Sequence, residues 1–220
     1  QMVYDMIMSH GCDDFERFRK KFRHHNFFDS AGKFPIYGLE PTLNELVNFF
    51  RSAAGHHGTQ KRVLLLHGPV GSSKSTICDI LKNGLQDYSR TDAGAWYTYM
   101  WKDLPTEGEE AVYTSSTCEC PMNEDPLRLI PESMRQGVME DLTQRMLDRL
   151  PEDQRAGQYH LRSEEGVCPL CRDFMKRLLR VHNGDWHKVM ANHIVVNRKV
   201  FSEFDRIGIG TFQPKDEKNQ

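Results

Sequence analysis

The 220-residue sequence is short of charge of either sign in excess. Lys and Arg number 29 against 31 Asp and Glu, a formal net charge of −2 with a pI of about 6.6. A balance of that kind argues against a protein that grips nucleic acid by electrostatics, although a local basic groove stays compatible with it. Long apolar runs are also missing. No stretch approaches the roughly 20 residues that a membrane span needs, and no signal peptide is visible. No internal repeat can be found, which excludes a solenoid or propeller. Cysteine is sparse, with six in the chain, and beside a nucleotide motif this number points to a reducing cytoplasm with thiols free or bound to metal. The length leaves room for one large domain or two small ones.

The most informative stretch is Val63-Leu64-Leu65-Leu66-His67-Gly68-Pro69-Val70-Gly71-Ser72-Ser73-Lys74-Ser75-Thr76. Four apolar residues lead into a Gly-rich turn, which ends in Lys-Ser-Thr ahead of an amphipathic run. The order predicts a buried strand, a phosphate loop and a helix. Backbone N–H groups from Gly68 to Ser73 would cradle anionic oxygens, and the helix N-terminus would add a favourable dipole. In such a loop Lys74 reaches the β- and γ-phosphates of ATP. The Ser75 hydroxyl ligates Mg²⁺, and Thr76 faces the α-phosphate. Against the spacing G-x-x-x-x-G-K-[ST], Ser73 stands where the second Gly belongs, so its Cβ is expected to crowd the phosphate or strain the turn.

Residues 1–33 are mixed and charged. Phe15, Phe18 and Phe22 fall at helical spacing among basic residues, which predicts an N-terminal helical segment. Its aromatic stripe either packs on the domain or meets a partner. After Phe34-Pro35-Ile36-Tyr37-Gly38-Leu39-Glu40, Pro41-Thr42 opens a helix with Leu43, Leu46, Val47 and Phe50 on one face, closed near Gly55. Ile36 and Tyr37 either contact an adenine base or anchor the core. Ile77, Leu81, Leu85 and Tyr88 continue a helical stripe, with Gly84 weakening its last turn. Residues 95–101 and 111–114 read as strands, 131–150 as a helix, 151–167 as a loop, 168–182 as a helix and 193–201 as a strand.

Cys118-x-Cys120 and Cys168-x-x-Cys171 supply four candidate thiolates for a structural Zn²⁺ site. A mixed site of Cys120, Cys168, Cys171 and one His or Cys118, free buried thiols, or a disulfide are the alternatives. A competing set of Cys168, Cys171, His182 and His187 is discounted, since Asn183-Gly184 breaks the helix that a C₂H₂ finger needs. Asp103, Glu107, Glu109 and Glu110 read as a solvated loop. Arg206 is a candidate charge sensor or intersubunit finger, or an exposed structural Arg. Asp103, Asp125 and Asp205 are the acids to consider if catalysis lies inside this sequence.

Taken together, Tyr37-Gly38-Leu39-Glu40, the phosphate loop, Met122-Asn123-Glu124-Asp125-Pro126-Leu127-Arg128-Leu129-Ile130-Pro131 and Ile207-Gly208-Ile209-Gly210-Thr211-Phe212 through Gln220 resemble the AAA+ module of the PrkA family of bacterial serine protein kinases. The resemblance implies an α/β P-loop NTPase with a parallel sheet core. It gives an AAA+-like domain over 34–220, truncated before Walker B, with a long insert at about 95–190 that the Cys118, Cys120, Cys168 and Cys171 thiolates would tie down if they bind zinc. It implies ATP and Mg²⁺ as cofactors, a protein substrate, and a homo-oligomer in full-length form, with phosphorylation or remodelling of protein as the activity. No His-Arg-Asp or Asp-Phe-Gly segment of ordinary protein kinases occurs. An ATP-dependent protease, a nucleotide-sensing module without turnover and a zinc-stabilised interaction domain are the competing readings. In the family a Walker B strand and a kinase-like region follow later, so the chain reads as a fragment.

Overall fold

The computed structural model describes residues 1–17, 19–30, 35–55, 58–105, 115–149 and 166–212. The strand expected at 111–114 and most of the loop at 151–167 lie outside them, as do Glu107, Glu109 and Glu110. The chain forms two compact units, one made of Gln1–Ala95 with Val200–Gln220, the other of Trp96–Lys199.

In the first unit, α1 (Met2–Ser9) leads into a hairpin of β1 (Cys12–Arg17) and β2 (Lys20–His25), then α2 (Phe27–Ser30), α3 (Glu40–Ala54) and α4 (Lys74–Arg90). The hairpin corrects the helix expected around Phe15 and Phe22. These rings face each other across the antiparallel register, stacked at 5.7 Å between centroids. Asp14 and Arg23 also pair across it, through two hydrogen bonds of 2.7 and 2.9 Å. Cross-strand neighbours of that sort are what hold a small ladder together.

Helix α3 follows its apolar stripe as expected: Leu43, Leu46 and Val47 are buried, Pro41 opens the first turn and Gly55 closes the last. Helix α4 buries Ile77 and Ile80. These side chains meet Met6, Ile7, Phe27, Phe28 and Ile36 in one core. Gly84 sits in that interface, where a Cβ would come within 2.5 Å of the Phe27 ring. Its presence in the helix is therefore a packing requirement, and α4 runs on regardless to Arg90.

The second unit has a three-stranded sheet of β3 (Trp96–Trp101), β4 (Cys118–Glu119) and β5 (Ile194–Lys199), in the order β4-β3-β5. Three described helices accompany it: α5 (Glu132–Asp148), α6 (Pro169–Val181) and α7 (Trp186–His193). Tyr99, Trp101, Phe174, Leu178 and Val189 are its fully buried centre. The Trp101 and Phe174 rings meet edge to face at 5.7 Å, an arrangement the ring quadrupoles favour.

The fold is mixed α/β, but both described sheets are small and every named strand pair is antiparallel. The parallel core expected from the sequence is thus absent among the described residues. Val63–Leu66 in particular belongs to neither sheet, and Val63 and Leu65 are 94% and 82% exposed. A strand needs a neighbour for its backbone groups, and among the described residues nothing pairs with this one.

Candidate functional site

The candidate phosphate loop, Gly68–Ser73, opens directly into α4. Its hollow is held by Lys74. The ammonium donates to the carbonyl oxygens of Gly68 at 2.8 Å and Pro69 at 2.5 Å, and to Ser72 Oγ at 2.9 Å. Ser72 in turn donates from its hydroxyl to the Pro69 carbonyl at 2.8 Å. A cation thus sits on the concave side of a backbone turn, next to the unsatisfied N–H groups of a helix start, which is the arrangement that attracts phosphate oxygens. Gly68 is needed there: a Cβ would lie 2.8 Å from Ser72 Oγ.

Two residues of the loop are left-handed, Gly71 at φ 84° and Ser73 at φ 58°. Glycine adopts this region freely and serine does not. Ser73 is also the N-cap of α4, yet its side chain makes no capping hydrogen bond. The departure from the usual motif is therefore a backbone cost at residue 73. Ser75 is exposed in the first turn of α4, and Thr76 half-buried. Val70 stands fully in solvent.

Beside the loop lies a cavity of about 420 Å³. One wall is α3 with the residue before it, giving Leu39, Leu43, Leu46 and Phe49. The other is Leu64–Pro69, with Lys74 and Ile77 at the base. Ile36 is buried in the core and Tyr37 is 70% exposed, and neither lines this cavity. The wall residues were legible in the sequence only as a helical core stripe.

The other candidate residues are placed as follows. Asp205 accepts from Ser202 Oγ at 2.7 Å within a turn, and Arg206 is exposed in the same turn at φ 56°. Asp125 caps a short 3₁₀ turn through the Leu127 N–H at 2.8 Å. Asp103 is exposed beside Lys102. His182 and His193 face each other at 2.8 Å between Nε2 atoms.

In the second unit Cys120, Cys168 and Cys171 come together with Glu124, a residue the sequence did not single out for this role. Their donor atoms lie within 4.8 Å of one another and all four residues are buried. Cys118 is outside the group, half-buried at the end of the sheet, with its thiol toward the Glu119 carbonyl at 3.4 Å. Among the described residues no histidine joins the group. The turn after β4 explains the substitution. Asn123 N–H donates to the Cys120 carbonyl at 3.0 Å, and Asn123 is left-handed at φ 47°. The chain thereby reverses and brings Glu124 back over Cys120. Burial pushes the Cys171 thiol well up from its ordinary range, and Tyr99 likewise.

A Gly-rich turn opening into a helix, with a lysine held within it, is the local arrangement of a P-loop. The PrkA AAA domain model matches residues 14–220, and the chain belongs to that family. It is 34% identical over 219 residues to the ATP-dependent protease PrkA of Bacillus subtilis (strain 168). That alignment spans 99% of this chain and 27% of the relative. No solved structure matches. The chain is accordingly an ATP-binding AAA module. None of its described helices is long and apolar enough to cross a membrane.

Proposed function

We propose that this module supplies ATP-driven handling of protein substrates to a proteolytic protein, acting within a homo-oligomer, and does not supply serine phosphorylation. The observation that carries the nucleotide part is the position of Lys74, whose ammonium is held at three points inside the Gly68–Ser73 turn. On this reading Lys74 shifts from the loop carbonyls to the β- and γ-phosphate oxygens of ATP. The N–H groups of the loop hold the remaining oxygens, Ser75 binds Mg²⁺ and Thr76 lies at the α-phosphate. The apolar cavity between α3 and Leu64–Pro69 takes the base, in place of Ile36 and Tyr37. The protease reading is favoured over the kinase reading by the relative's name.

The test uses the full-length protein and its Lys74→Ala variant. ATP binding by calorimetry, phosphate release, ATP-dependent peptide release from a labelled unfolded protein and phospho-amino-acid content are measured together. The expected result is peptide release that needs ATP hydrolysis, is lost in Lys74→Ala and leaves no phosphoserine. Phosphoserine formation without peptide release would overturn the protease reading, and equal ATP affinity in both proteins would overturn the loop assignment.

A further inference from the structure

We propose that Cys120, Cys168, Cys171 and Glu124 hold one structural zinc ion through three thiolates and one carboxylate. The four donors converge from two directions. Cys120 and Glu124 flank the turn after β4, whereas Cys168 caps α6 and Cys171 lies in its first turn. A tetrahedral zinc with Zn–S bonds of about 2.3 Å places its sulfurs about 3.8 Å apart, and slightly less for a carboxylate oxygen. The observed spread, all pairs within 4.8 Å, closes to that geometry with shifts below about 1 Å.

The chemistry of the set selects the metal. Three sulfurs with one oxygen suit Zn²⁺, and exclude Mg²⁺ or Ca²⁺, which require oxygen shells. The surroundings are also those of a held ligand set. The Trp101 indole N–H, which can only donate, points at Cys171 Sγ at 3.2 Å. Glu124 Oε2 accepts from the Tyr99 hydroxyl at 3.0 Å and from the Cys168 N–H at 3.0 Å, with Cys120 Sγ at 3.5 Å. Arg128 approaches Oε1 at 3.4 Å. These donors orient anionic ligands and spread their charge, as outer partners do around structural metals. Within the apolar core of Leu104, Leu129, Phe174 and Leu178, Arg128 answers the charge of Glu124, and three ionised sulfurs beside it need a further cation at their centre.

On binding, the three thiols release their protons to solvent, the three sulfurs and the Glu124 oxygen each form a bond to Zn²⁺, and no oxidation takes place. The ion would join the turn after β4 to α6, so that zinc binding is folding free energy for this unit.

The experiment is zinc analysis of the full chain purified under reducing conditions, beside four variants. The parent and Cys118→Ser are expected to hold roughly one zinc per chain with affinities within about twofold in chelator competition. Glu124→Gln is expected to lose at least about 100-fold in affinity, more than an outer-shell change costs. Cys120→Ser and Cys171→Ser should retain essentially none. Cobalt substitution of the parent guards against variants that fail to fold: its thiolate charge-transfer intensity should correspond to three sulfurs. A metal-free parent that folds normally would overturn the site. So would four-sulfur intensity, or loss of metal in Cys118→Ser with retention in Glu124→Gln.

Discussion

The His25 ring and the Asn44 amide meet at 3.1 Å, Nε2 to Oδ1, and this contact fixes the protonation of a buried histidine. Asn44 Nδ2 donates to the carbonyls of Arg23 at 2.7 Å and Glu40 at 2.9 Å, so its oxygen must face the ring. The proton is therefore on Nε2. Nδ1, buried and without a hydrogen-bond partner, is the bare nitrogen that acid would have to protonate.

Acid sensitivity follows from that arrangement. Burial holds the His25 pKa below its ordinary value of 6.5, and the neighbouring Arg23 and His24 act in the same direction, against Asn44 and Asp14. The unfolded chain then takes up the proton first as pH falls. Stability contributed by His25 is present above about pH 6.5 and is lost as pH drops from there toward the lower folded value. Urea midpoints of the parent should fall between pH 7.5 and pH 5.5, and those of His25→Gln should fall less. An unchanged pH slope in the variant would show that the ring is not the group responsible.

Asn44→Ala should cost about 1–3 kcal/mol at pH 7.5, because it strands the buried His25 N–H and removes a side-chain donor from the Arg23 carbonyl. Denaturant unfolding measures this directly. A loss within about 0.5 kcal/mol, the range of ordinary surface changes, would mean that water replaces the amide without penalty.

Ser73→Gly should relieve the left-handed strain at the head of α4. The gain is of order 1 kcal/mol from the backbone, offset in part by the larger entropy of a glycine in the unfolded chain. Its clearer signature is ATP affinity, expected to equal or exceed the parent's, with Ser73→Ala no better than the parent. Weaker binding by the glycine variant in calorimetry would indicate that the serine hydroxyl itself contacts nucleotide.

Gly84→Ala should destabilise the first unit by about 1–3 kcal/mol, even though alanine is the better helix former. The added methyl would meet Phe27 at 2.5 Å and Met6 at 3.2 Å. Pairing it with Phe27→Leu should restore part of the loss in thermal unfolding. Additive losses in the double variant would locate the damage elsewhere.

Helices were the readable part of this sequence because their apolar stripes are long and periodic: α3, α4 and α6 lie where Leu43–Phe50, Ile77–Tyr88 and Cys171–Leu178 place them. The hairpin was misread for a physical reason. Phe15 and Phe22 are seven residues apart, which suits two turns of helix, but a reversal near Arg19, left-handed at φ 59°, sets the same two rings opposite each other. The loop was legible from Gly68 and Lys74. The fourth member of the thiol cluster was not. Alternation along a strand groups Cys118 with Cys120, but β4 ends at Glu119 and the chain then turns. A carboxylate in a polar loop such as Asn123-Glu124-Asp125 gives no sign in sequence that it will be buried.

Val63 and Leu65 carry a consequence for the behaviour of the protein in a tube. An exposed apolar run outside any sheet is sticky, and surfaces of this kind recruit other copies. Attraction between molecules will strengthen on warming, as hydrophobic contacts do from low temperature. It will ease when a charge is placed at residue 65. Light scattering from concentrated samples, not the unfolding midpoint, is where this stretch declares itself, and the usable concentration of the chain is set by this one apolar run, not by the strength of its two cores.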